Sequence, residues 1–174
     1  MLYFLPTAVL SSVGILILLG FQKEFGRQVF SLIRKWLGRD YLDNWASVDI
    51  LCPDALSGLL EDHAGLRTKI RSWTAASNRW VRRASAVSFI KLARRGKCLD
   101  DVYSQARRLF GADDDLIEKA NGWLLREAGK TDMPRLEAFL LKLGPKIPRT
   151  TLRYAIERFP QDKRKRILDG TKSA

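Results

Sequence analysis

The stretch LDNWASVD, residues 42–49, places Trp45 and Asp49 four positions apart. On a helix that spacing stacks both side chains on one face. A large aromatic ordinarily favours burial and a carboxylate ordinarily does not. The pair therefore raises the question of what ligand needs an indole beside a carboxylate. A second chemically loaded stretch is SNRWVRRASAVSFIKLARRGK, which sets Arg79, Arg82, Arg83, Lys91, Arg94, Arg95 and Lys97 on or beside one helix. Standing alone, such a segment reads equally well as a solvated basic face. The whole chain shifts that balance, because 31 Lys and Arg oppose 19 Asp and Glu, for a net charge of +12. Such an excess points to a polyanionic partner, nucleic acid or an anionic membrane surface. The run Lys163, Arg164, Lys165 and Arg166 near the end adds to it.

Other chemistries find no support. Cys52 and Cys98 are single and far apart, which gives no metal spacing and suits a reduced intracellular protein. Asp113, Asp114 and Asp115 lack the spacing of a calcium loop and suit a helix N-terminus. His63, the only histidine, has no partner pattern for metal or nucleophilic work and is read as structural. No phosphate-binding loop, dinucleotide glycine motif or zinc motif occurs, so neither cofactor nor metal is expected.

The elements that must position these residues are helices. Apolar residues recur at helical spacing through the 174 residues, with Pro and Gly as punctuation. The pattern predicts helices over 8–21, 23–37, 41–60 (broken near Pro53), 65–76, 78–95, 99–110, 114–129, 134–143, 148–159 and 161–168. Three of them match one another: WVRRASAV at 80–87, LIEKANGW at 116–123 and TLRYAIER at 151–158. Each has Ala at its fifth position, Ala84, Ala120 and Ala155, and a further step back reaches Ala46. A helix pair repeated every 35 to 38 residues predicts an α-solenoid of HEAT-like length. The position before each Ala reads Trp45, Arg83, Lys119 and Tyr154. The position three after it reads Asp49, Val87, Trp123 and Arg158. These columns are four apart and form one stripe on each second helix, so stacked repeats align them as one binding wall. Trp36, Trp73 and Trp80 fall outside the stripe and are expected to pack inside.

The segments NWASVD, WVRR and KANGWLLREAGK occur in the order found in the HEAT-like DNA alkylation-repair glycosylases of the AlkD type. The chain resembles that family from about Leu18 to about Arg166. The resemblance implies an all-α solenoid of about four HEAT-like helix pairs that cups duplex DNA in a basic concave groove. It implies excision of cationic N3- or N7-alkylated purines. By position it assigns base contact to Trp45 and Trp123, the essential carboxylate to Asp49 and the essential arginine to Arg83. The last is expected either to hold a backbone phosphate or to fix Asp49 in place. Phosphate contact is expected from Arg79, Arg82, Lys91, Arg94, Arg95, Lys119, Tyr154 and Arg158.

Family members usually carry about two more helix pairs ahead of the position of Leu18. Residues 1–21 are accordingly read as a separate apolar helix, a divergent cap, a truncation remnant or a membrane anchor. Residues 22–168 form the repeat domain and 169–174 a disordered tail. The expected partner is double-stranded DNA carrying alkylated bases, met by a monomer in the cytoplasm, with a membrane-anchored form as the alternative. A non-catalytic HEAT-like module that binds nucleic acid or protein is the competing function.

Overall fold

In the computed structural model, which describes residues 7–172, the apolar periodicity resolves into helices alone: no described residue lies in a strand. The helices are α1 (Thr7–Gly20), α2 (Arg27–Gly38), α3 (Trp45–Asp62), α4 (Ala64–Arg71), α5 (Arg79–Val87) and α6 (Ile90–Arg94). They continue as α7 (Leu99–Arg108), α8 (Asp115–Thr131), α9 (Met133–Leu143), α10 (Arg149–Ala155) and α11 (Gln161–Gly170). An inner layer runs α1, α3, α5 with α6, α8 and α10, each packed on the next, while α2, α4, α7 and α9 flank it. This is the α-solenoid that the repeat spacing predicts.

The period is visible in the bonds between neighbouring helix pairs. Arg83 and Asp49 are 34 residues apart, Arg79 and Asp114 35, Arg94 and Glu127 33, and the Thr151 hydroxyl and Glu118 carbonyl 33. Side chains about one repeat apart thus meet across adjacent inner helices. The small residues of the repeat explain how closely those helices approach: Ala84, Ala120 and Ala155 are buried, although Ala46 in the first turn of α3 is only half-buried. A core of Leu51, Leu56, Phe89, Ile90, Ile117 and Leu124 fills the stack. Burial of a side chain of this size contributes about 1.5–3 kcal/mol. The layers are also tied by fully buried amides, Gln105 donating to the Ser85 carbonyl and Asn121 to that of Ala106.

Several boundaries depart from the periodicity. The helix read as broken near Pro53 runs through it, because burial of Leu51, Cys52, Ala55 and Leu56 holds both sides of the proline in one helix. Residues 78–95 divide at Ser88 and Phe89, where the Ser88 hydroxyl donates back to the Ala84 carbonyl. The last inner helix stops at Ala155 and gives way to turns. Trp73 is buried against Phe30, whereas Trp36 and Trp80 pack against the core only half-buried.

At the N-terminal end, α1 packs on α3, with Ile15, Leu18 and Leu19 against the core and Val13, Leu16 and Ile17 exposed. Residues 1–6 of the expected apolar segment lie outside the described residues. Among those described, no helix is long and apolar enough to cross a membrane. At the other end α11 extends to Gly170, and Thr171 behind it is buried, its hydroxyl donating to the Ile167 carbonyl at 2.7 Å. Residues 173–174 lie outside the described residues.

Candidate active site

Three of the inner helices, α3, α5 and α8, start in step because each begins with a short polar cap. Asn44 accepts from the Ser47 amide at 2.9 Å, Asn78 from Trp80 at 2.9 Å and Asp114 from Leu116 at 3.1 Å. Such caps satisfy amides that would otherwise be orphaned. They place Trp45 at the first turn of α3, Arg83 one turn into α5, and Lys119 and Trp123 in the first half of α8.

These helices frame an open cleft of about 400 Å³ lined by Trp45, Asp49, Arg83, Leu116, Lys119, Trp123, Arg126 and Tyr154. All four residues assigned to chemistry are therefore brought together, with Lys119 and Tyr154 beside them. Trp45 is 57% exposed, so its indole is held at the surface and not in the core. A larger hollow of about 600 Å³ lies beside Asp54, Gly58, Lys91, Arg94 and Arg95, but it contains neither an indole nor Asp49.

Arg83 is the best-buried polar member of the cleft. Its Nε donates to Asp49 Oδ1 at 2.8 Å and its Nη2 to Oδ2 at 2.7 Å, a two-pronged grip that fixes the carboxylate plane. Its Nη1 donates to the Leu116 carbonyl. All three nitrogens are thus engaged within the protein, and the side chain is only 7% exposed. Asp49 also bears on Cys52, one turn below. Burial pushes the Cys52 thiol up, the Asp49 charge pushes it further, and a hydrogen bond with Ser88 opposes them.

Tyr154 reaches the cleft because α10 lies close on α8 at Gly122. A Cβ there would meet the Thr151 carbonyl oxygen at 2.7 Å and collide with Tyr154 Cβ. Lys119 is held by Asp115 one turn before it, at 2.6 Å, and that hydrogen bond raises its pKa.

Most of the expected phosphate-binding cations are engaged by acids. Arg79 and Arg82 lie 2.9 and 3.6 Å from Asp114, Arg94 is 2.9 Å from Glu127, Arg95 is 2.6 Å from Glu61, and Lys91 pairs with Asp54. Arg158 lies 3.7 Å from Glu157 and does not line the cleft. Val87, in the same column of the repeat as Asp49, is wholly buried, so the stripe is interrupted there by core. Of the terminal basic run, Lys163 and Arg166 both turn to Glu137. Glu127 is the most deeply placed of these acids, 2% exposed. Burial alone would raise its pKa, but hydrogen bonds from Lys130 and Arg94 outweigh it and hold the carboxyl below its usual range.

Leu116 and Arg126 were not anticipated. Both continue the helical row 116, 119, 123, 126 on α8, so extending the stripe by one turn each way finds them. Among the described residues no group of three or more His, Cys, Asp or Glu side chains is arranged to hold a metal ion. A family model described as DNA alkylation repair enzyme matches residues 10–159. No curated protein matches the chain.

Proposed function

The chain belongs to the family of DNA alkylation repair enzymes, and on that premise we propose that it is a glycosylase. In this reading it binds duplex DNA along its inner layer and hydrolyses the N-glycosidic bond of cationic N3- or N7-alkylated purines. An alkylated purine already carries a positive charge and is a good leaving group, so no strong general acid is required. What must be stabilised is the oxocarbenium-like sugar formed as the bond breaks, and a nearby carboxylate does so electrostatically. Asp49 has that part. The lone pairs that Arg83 leaves open can orient the attacking water. Trp45 and Trp123 offer indole faces to the cationic base, each contact contributing roughly 0.5–2 kcal/mol. Arg83 is the clamp behind the carboxylate, and Lys119, Arg126 and Tyr154 border the cleft on the α8–α10 side. The chemistry calls for no metal or cofactor.

The observation that carries this reading is one open cleft joining two indoles to a carboxylate whose plane is locked by a buried arginine. The competing reading is a binding-only module, and the acids that engage most of the expected phosphate-binding cations weigh against strong DNA contact by those residues. The deciding experiment incubates purified protein with methylated duplex DNA and measures released base. Free 7-methylguanine or 3-methyladenine is expected. Salt-sensitive DNA binding with no released base would leave the module instead.

A further inference from the structure

A proline inside a helix removes one hydrogen bond and crowds the carbonyl four residues before it. Pro53 sits inside α3, and the carbonyl four residues before it is that of Asp49. One turn beyond, Ser57 Oγ lies 2.6 Å from the Pro53 carbonyl oxygen and 3.1 Å from the Ser88 carbonyl oxygen on the neighbouring inner helix. A hydroxyl has one proton, so it is shared between these two acceptors. Ser88 donates in turn to the Ala84 carbonyl at 2.6 Å, where the run from Arg79 to Arg94 is interrupted. Hydroxyls that bond back by four residues bend helices. Both inner helices therefore carry a bending device at the same level, and a hydroxyl ties them together. Cys52, Pro53, Ser57 and Ser88 are all buried at this joint.

The joint lies one turn past Asp49 on α3 and just over one turn past Arg83 on α5. The Asp49–Arg83 grip spans those two helices, with bonds of 2.8 and 2.7 Å, and a two-pronged grip tolerates little tilt between its carriers. Past Pro53, Asp54 pairs with Lys91 of α6 and Glu61 with Arg95 at the end of α6, so the far half of α3 is tied separately. We propose that Pro53 and the Ser57–Ser88 tie form a positioning device that sets the two helix starts so that Asp49 meets Arg83 squarely. Its catalytic consequence rests on Asp49 acting as proposed above, whereas its geometric half does not. A helix-interior proline runs against helix stability, and such local conflicts gather at functional sites.

The test is Pro53→Ala, which gives α3 an amide able to bond to the Asp49 carbonyl. The amide that the substitution introduces is expected to exchange slowly with solvent. A crystal structure of the variant should show at least one Asp49–Arg83 bond lengthened beyond about 3.5 Å, where it ceases to be a hydrogen bond. With methylated duplex DNA, kcat should fall about 10- to 100-fold, as small misplacements do, with KM and Tm unchanged or Tm raised. If Pro53→Ala does not fold, Ser57→Ala, which cuts the tie alone, is put through the same measurements of structure and kcat. An intact grip, or a wild-type kcat, overturns the proposal, and so does a kcat that falls only as Tm falls. Should wild-type protein release no base, the glycosylase reading fails, and the exchange and crystal measurements still decide the positioning.

Discussion

Replacing Asp49 with Asn keeps the shape and removes the charge, and the structure sets what that does to both stability and rate. Arg83 is 7% exposed and Asp49 15%, so the pair is largely desolvated. Removing one partner of a buried ion pair costs about 3–5 kcal/mol. Asn retains one acceptor oxygen, and Arg83 keeps the Leu116 carbonyl, so the expected cost is smaller, about 1–3 kcal/mol. For a chain of this size that lowers Tm by roughly 2–12 °C. Even from a stability at the low end of the usual range, about 5 kcal/mol, a loss of 3 leaves about 97% of the protein folded at 25 °C. Unfolding therefore accounts for a few per cent of any lost activity. Loss of an electrostatic stabiliser of the sugar cation is a different size of effect, about 100- to 1000-fold. The assay is single-turnover release of 7-methylguanine at 25 °C beside a melting curve, with affinity for undamaged duplex as control. Affinity should hold or rise slightly, since a negative charge leaves the groove. Excision within tenfold of wild type, or a loss that only follows Tm, would refute Asp49 as the stabiliser.

Gly122→Ala forces α8 and α10 apart against the Thr151 backbone, so the urea midpoint should drop by the equivalent of about 1–3 kcal/mol and Tyr154 should leave the cleft. The Glu127 carboxyl is depressed in the fold relative to its ordinary value of 4.5, so the stability it contributes is present above that value and lost as pH falls through the folded pKa. Melting curves from pH 7 to pH 3 should therefore show Glu127→Gln below wild type at neutral pH and the two converging in acid; parallel curves would remove Glu127 as a contributor. DNA affinity should fall with salt at a log–log slope of about −0.9 per neutralised phosphate. Changing Arg94 and Arg95 together to Ala should flatten that slope by less than two phosphates' worth, because Glu127 and Glu61 already engage those cations. A salt-independent affinity would exclude nucleic acid as the partner.

Helical periodicity and the spacing of Ala84, Ala120 and Ala155 were enough to read the solenoid and its register from the sequence, because a helix pair repeated at constant length must present equivalent positions to equivalent neighbours. That register selected eight positions, of which Trp45, Asp49, Arg83, Lys119, Trp123 and Tyr154 line one cleft, while Val87 is core and Arg158 lies outside it. The caps at Asn44, Asn78 and Asp114, 34 and 36 residues apart, carried the same information at the helix starts.

The tertiary structure decided which partner each charge takes. A basic segment looks alike in sequence whether its cations face phosphate or acid. Their fate depends on what stands opposite on the next inner helix, as Glu127 does for Arg94 and Glu61 for Arg95. The same holds for Arg83, whose alternatives of phosphate and Asp49 are separated only by distances of 2.7 and 2.8 Å across two helices. Val87 shows the converse, a stripe position by register that the packed stack makes core. Periodicity reports which side of its own helix a residue is on, whereas burial and pairing are properties of the neighbour it meets some 35 residues away.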